Sequence, residues 1–184
     1  MDALLPAFIL AALAGWDGTG QRLAAHLVRA GGNRWAVLGG CALATLLIAV
    51  LSAIGGVLIE PYLTANAAQL ILAVALAYAG LAAFGGGEKP DVKPARAGTF
   101  LTALTALIAT ELPGAAAFFA FALAAGSPHP VLVALGVAAG GVAALSPGAL
   151  GTIPPQLLRP VRWAIGAMFL VAGAITALRA LRLL

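Results

Sequence analysis

Charge is what this chain has least of. Of its 184 residues only 9% are Asp, Glu, Lys or Arg, where a soluble domain carries about 25%. So few charges cannot cover a surface facing water, which excludes an ordinary soluble protein and leaves lipid as the solvent. Cysteine is nearly absent. Cys41 stands alone inside an apolar run, which excludes an intrachain disulfide and reads as a small buried hydrophobe. The two histidines, His26 and His129, have no partner at metal-ligand spacing. There is no G-x-S-x-G, no phosphate-binding loop and no H-E-x-x-H, so no enzyme is expected. The ten Lys and Arg are scattered between apolar blocks and form no patch for nucleic acid. Asp2 stands where a signal peptide would be positive, and no A-x-A site follows at a suitable distance. The first apolar block is therefore expected to be a retained helix.

What is present is hydrocarbon: 62% of the residues are hydrophobic and the mean hydropathy is +1.06. Six apolar blocks run over residues 3–26, 35–59, 66–84, 98–125, 131–153 and 160–178. Each is close to the roughly 17–25 residues that cross a hydrocarbon core. Gly15, Gly18 and Gly20 interrupt the first, and Pro147 lies inside the fifth. Pro160 suits a helix start, while Pro61, Pro128, Pro130, Pro154 and Pro155 read as breakers. Trp35, Tyr62 and Trp163 sit at block edges as interfacial anchors. The expected fold class is all-α: a polytopic membrane protein of six transmembrane helices.

The halves can be laid over each other. At an offset of 94 residues, LSAIGGVLIEPYL (51–63) meets LSPGALGTIPPQL (145–157), with Leu51, Ser52, Ile59, Pro61 and Leu63 matched. The expected organisation is a first three-helix repeat at 1–84, a cytoplasmic linker at 85–97 (GGGEKPDVKPARA) and a second three-helix repeat at 98–184. Three helices per half invert the second half relative to the first, as in many secondary transporters. Arg29, Arg34, Lys89, Lys93, Arg96, Arg159 and Arg162 fall on one side, which should be cytoplasmic, with both termini outside. A bacterial plasma membrane is the expected location.

Two of the six acids fall inside apolar blocks. Asp17 lies 14 residues beyond Ala3 and Glu111 lies 13 beyond Gly98, so each is roughly 20 Å along its helix and deep in a core about 30 Å thick. A carboxylate there costs at least about 2.5–3.5 kcal/mol and usually faces a bundle interior or a wet cavity. Asp17 sits in AGWDGTGQR and Glu111 in ATELPGAAA. The glycines and proline loosen the helix and free carbonyl oxygens, and Thr19 and Thr110 add hydroxyls. Hard cations such as Ca²⁺ and Mn²⁺ take oxygen ligands. The expected metal-contacting residues are thus Asp17, Glu111, Thr19 and Thr110. The blander reading pairs Asp17 with Arg22 and leaves Glu111 protonated against a neighbouring helix.

On these features the chain resembles the GDT family of six-helix calcium/manganese:proton antiporters. The resemblance covers nearly the whole chain: its length, the three-plus-three repeat, the charged central loop and the placement of the acids. The family motif is E-x-G-D-[KR]-[ST], once in the first helix and once in the fourth. Here Ala14-Gly15-Trp16-Asp17-Gly18-Thr19 keeps the aspartate and threonine, and Glu111-Leu112-Pro113-Gly114-Ala115-Ala116 keeps the glutamate. The resemblance implies a divergent antiporter with degraded motifs. It would exchange Mn²⁺ or Ca²⁺ for protons at a midplane site, with the metal as transported substrate and no cofactor. Its partners would be the bilayer, the cation and protons, with a second copy of the chain allowed and no nucleic acid. The alternatives are an exporter of another small solute, similar to amino-acid exporters, and a divergent membrane protein that transports nothing.

Overall fold

Proline and glycine place most of the breaks. The structure, a computed structural model, describes residues 3–17, 19–85, 99–150 and 155–182; the side chains of Asp17 and of residues 155–159 lie outside the described set. Among the described residues the elements are eight α-helices: α1 (Leu4–Ala14), α2 (Thr19–Arg29), α3 (Arg34–Ile59), α4 (Ala65–Gly85), α5 (Thr99–Glu111), α6 (Ala115–Ala125), α7 (Pro130–Leu150) and α8 (Pro155–Ala180). Short 3-10 turns follow α1 at Gly15–Asp17 and α3 at Glu60–Tyr62. Asn33 starts α3 by accepting the Trp35 amide on its side chain at 3.0 Å, which satisfies one of the orphan donors of the first turn. Pro130 and Pro155 each open a helix, where the missing N–H costs nothing.

Hydropathy alone misjudged three blocks. The first, expected over 3–26 with interruptions at Gly15, Gly18 and Gly20, is split by the turn at Gly15–Asp17 into apolar α1 and the more polar α2. The fourth, expected over 98–125, bends by 66° between α5 and α6. Pro113 causes that bend: it lacks the N–H that would continue the ladder and biases Leu112 away from helical geometry. The sixth begins at Pro155, so Pro160 lies inside α8 rather than at its start. The linker expected at 85–97 lies, apart from Gly85, outside the described residues.

Four stretches are long and apolar enough to cross a membrane: Arg34–Tyr62, Ala65–Gly85, Pro130–Leu150 and Pro160–Ala180. The bent pair α5 and α6 makes a fifth if taken as one span. With 11 residues, α1 reaches only about 16 Å and covers about half of the hydrocarbon core by itself. The packing is that of a multi-pass membrane protein. Alanine fills the interior: Ala7, Ala11, Ala24, Ala44, Ala49, Ala75, Ala103, Ala120, Ala124 and Ala144 are fully buried. Large side chains face outward, with Leu5, Leu58, Leu81 and Val131 at least 60% exposed. Water would penalise that arrangement and hydrocarbon does not, because small residues let helix backbones meet closely. Phe119 and Phe169 are the largest buried side chains, with ring centres 5.5 Å apart.

The helices repeat their order of short, short, long, long. α2 and α6 begin 96 residues apart (Thr19, Ala115) and end 96 residues apart (Arg29, Ala125), and α3 and α7 begin 96 apart (Arg34, Pro130). Their packing repeats as well. A Cβ on Gly40 of α3 would meet the Phe100 carbonyl, Ala103 Cβ and the Leu104 amide of α5. A Cβ on Gly136 of α7 would meet the Leu4 carbonyl, Ala7 Cβ and the Phe8 amide of α1. Every residue in the second set sits 96 positions from its counterpart in the first. α1 packs along α7 in parallel, through Gly136 near Leu4 and Gly140 near Phe8. α3 runs parallel to α5 and α6, through Gly40 near Phe100 and Gly56 near Phe121. α4 and α8 are antiparallel, since Gly173 meets Ala73 and Gly166 meets Ala83.

Candidate functional site

Glu111 is the last residue of α5, and the break that follows sets its direction. Two hydrogen bonds stabilise the break without water. The Gly114 amide donates to the Glu111 carbonyl at 2.9 Å, and the Tyr78 hydroxyl donates to the Pro113 carbonyl at 2.9 Å. Non-helical backbone at membrane depth needs such partners. α5 is 13 residues long, so its end lies about 20 Å from its start, well inside a bilayer core.

The half-buried Glu111 side chain lines an enclosed cavity of about 20 Å³ together with Ala11, Gly15, Thr45, Ile48, Ala116, Val137, Gly141 and Leu145. These residues come from α1 and its terminal turn, α3, α5, α6 and α7, so both halves of the chain contribute. A space of that size admits about one water-sized particle. Among the described lining residues Glu111 and Thr45 carry polar side chains, and the rest of the wall is apolar. Thr45 donates to the Ala42 carbonyl at 3.0 Å, which leaves its oxygen lone pairs as acceptors toward a cation. Glu111 reaches across to the first half: Oε1 lies 2.6 Å from where a Cβ on Gly20 would stand. Gly20 is in the first turn of α2, whose N-terminal amides favour a negative charge. No family model, curated protein or solved structure matches this chain.

The other expected site residues fall as follows. Asp17 ends the turn whose first residue, Gly15, lines the cavity, and its side chain lies outside the described residues. Thr19 is half-buried at the first position of α2, one residue from Gly20. Thr110 turns into its own helix, donating to the Ala106 carbonyl at 3.0 Å and the Leu107 carbonyl at 3.2 Å. It is not among the cavity residues. The 96-residue register also separates the acids. Glu111 corresponds to Gly15 and Asp17 to Pro113, so the two do not hold equivalent places as the 94-residue offset implied. Among the described residues, no three of His, Cys, Asp and Glu gather in one place.

Two polar residues escaped the sequence reading. Thr45 is a lone hydroxyl in the apolar run CALATLLIAV, a signal that was open to use. Gln21 is 3% exposed and donates through Nε2 to the Ala144 carbonyl at 2.6 Å. That bond falls one turn before Pro147, which removes the helix donor for the Ala143 carbonyl. The Ser146 hydroxyl donates to Ala143 instead, at 2.9 Å. Arg162, expected in a cytoplasmic loop, is 8% exposed inside α8.

Proposed function

We propose that the chain is a secondary transporter that exchanges a divalent cation, Mn²⁺ or Ca²⁺, for protons through the cavity at Glu111. In this reading it spans the membrane six times as two inverted three-helix halves. The first span of each half is a broken helix: α1 with α2, and α5 with α6. The parallel pairing of α1 with α7 and of α3 with α5 and α6, and the antiparallel pairing of α4 with α8, support that topology. So does one end of the bundle, where Ala3, Glu60, Thr64, Ser127 and His129 line a single recess. The termini are proposed to face outward and the membrane to be a bacterial plasma membrane.

The observation that carries the reading is one carboxylate in a one-particle cavity between the two halves. A stripped cation or a proton fits such a space and an amino acid does not, which favours an ion over an organic solute. Broken helices beside the site match the midplane binding sites of known transporter architectures. The proposed ligands are Glu111 with the Thr45 hydroxyl, joined by Asp17 and Thr19 from the facing turn. On this proposal the chain is a divergent relative of the GDT antiporters it resembles. In proteoliposomes with an imposed pH gradient, Glu111→Gln should abolish Mn²⁺ and Ca²⁺ uptake, and Asp17→Asn should reduce it. Full uptake by the Glu111→Gln protein would sink the assignment. No uptake by the folded wild type, with no cation heat in calorimetry, would favour a non-transporting role.

A further inference from the structure

We infer that Tyr78 is a positioning residue, which holds the α5–α6 break, and Glu111 with it, in the setting that encloses the cavity. Tyr78 is the fourteenth residue of α4, about 20 Å from that helix's start and so inside a hydrocarbon core about 30 Å thick. Interfacial tyrosines place their hydroxyl at the headgroups; this one cannot. Its side is 43% exposed to the lipid wall, where no water can take the hydroxyl proton. The hydroxyl instead donates to the Pro113 carbonyl at 2.9 Å, two residues beyond Glu111. The ring also packs edge-on against Phe118 in the first turn of α6, with centres 6.3 Å apart and planes at 71°. Tyr78 thereby ties both the break and the helix after it to α4.

The break has room to leave this setting. Tyr78, Pro113 and Gly114 line an open groove of about 590 Å³ on the lipid side, shared with Leu51, Ser52 and Phe121. Moving Pro113 into that groove would carry Glu111 away from Gly20 and open the cavity. At the place equivalent to Tyr78 in the 96-residue register α8 has Ala174, so this tyrosine bond is not repeated there.

The test is Tyr78→Phe in the full chain, which keeps the ring and its contact with Phe118 and removes only the hydroxyl. The first readout is a distance distribution between spin labels at Leu101→Cys and Gly126→Cys, in a Cys41→Ala background. The wild type should give one narrow distribution and Tyr78→Phe a broader one. The second readout, which rests on the proposed transport function, is Mn²⁺ uptake in proteoliposomes. Loss of one such bond should raise the apparent KM about fivefold and leave the maximal rate within about twofold. Identical distributions in the two proteins would overturn the latch. A lower thermal midpoint with unchanged distances and KM would also overturn it, since that is what a purely structural bond would give. Broadened distances with no uptake in either protein would uphold the latch and overturn the transport reading.

Discussion

Adding one methyl group at Gly20 should disable the cavity while leaving the fold standing. A Cβ there would lie 2.6 Å from Glu111 Oε1 and 2.6 Å from Leu145 Cδ2. Ordinary contact begins near 3.4 Å, so about 0.8 Å must be found on each side. Leu145 is 3% exposed and packed among Leu23, Leu107 and Ala149, so it has little room to retreat. The Glu111 carboxylate is the far end of a flexible side chain and moves first. Overpacking of this kind costs about 1–3 kcal/mol, and most of it falls on the position of the carboxylate. Mn²⁺ affinity, measured by calorimetry on detergent-solubilised protein, should drop at least about tenfold, equivalent to about 1.4 kcal/mol. The thermal midpoint should fall as well, because the contact with Leu145 is not relieved when the carboxylate moves. Gly39→Ala is the control, because its Cβ would meet the Phe100 ring at 3.4 and 3.5 Å, an ordinary contact. Wild-type affinity in Gly20→Ala would refute the argument that Glu111 must lie against α2 to bind a cation.

The remaining predictions concern the cavity wall and the packing that builds it. Thr45→Val swaps the hydroxyl for a methyl of similar size and should weaken Mn²⁺ binding about three- to tenfold, a loss typical of one hydrogen-bonding oxygen. Unchanged calorimetry would remove Thr45 from the site. Gly136→Val would drive a side chain into the Leu4 carbonyl, 2.5 Å from the new Cβ, and into Ala7 Cβ at 2.9 Å. It should cost about 1–3 kcal/mol or more by forcing α1 off α7, read as a lower thermal midpoint in detergent. An unchanged midpoint would contradict the close approach of those helices.

How legible this was depended on the kind of information each element needed. α3, α4 and α7 follow hydropathy closely: 35–59 became Arg34–Ile59, 66–84 became Ala65–Gly85, and 131–153 became Pro130–Leu150. Their boundaries are transfer energies, which composition reports directly. From hydropathy the fourth block reads as one straight span, and the first has interruptions but no turn, because a hydropathy sum is blind to backbone hydrogen bonding. Pro113 is apolar enough to sit in a span and still ends α5. The signs of loosening around Asp17 and Glu111 were visible as glycine and proline, but the size of the bend was not. Thr110 also shows what hydropathy leaves out. A threonine in a helix can satisfy its hydroxyl on the preceding turn, and Thr110 does so. Thr45 and Gln21 could not be placed because their neighbours, Gly141 and Ala144, lie in α7, about a hundred positions away in the chain.

The shift in register, from 94 to 96, changes what kind of site this can be. Two acids at equivalent places would face each other across the axis relating the halves and would need a cavity wide enough for both. In the observed register the two described polar residues that line the cavity each correspond to a glycine. Glu111 corresponds to Gly15, and Thr45 to Gly141, with Gly141 so close to Thr45 that an added Cβ would lie 2.9 Å from its methyl. Thr45 fills the space at Gly141, Ala144 fills the space at Gly15, and Glu111 lies against Gly20. That is why the cavity shrinks to about 20 Å³ although five helices border it. It also divides the work unequally. α5 brings the described carboxylate and α3 the hydroxyl, while the turn at Gly15–Asp17 supplies the facing wall. A cation bound there would be held between the halves, by Glu111 from the second and Thr45 from the first. Motion of the α5–α6 break, which carries Glu111, should therefore change access by drawing the second half's carboxylate away from the first half's wall.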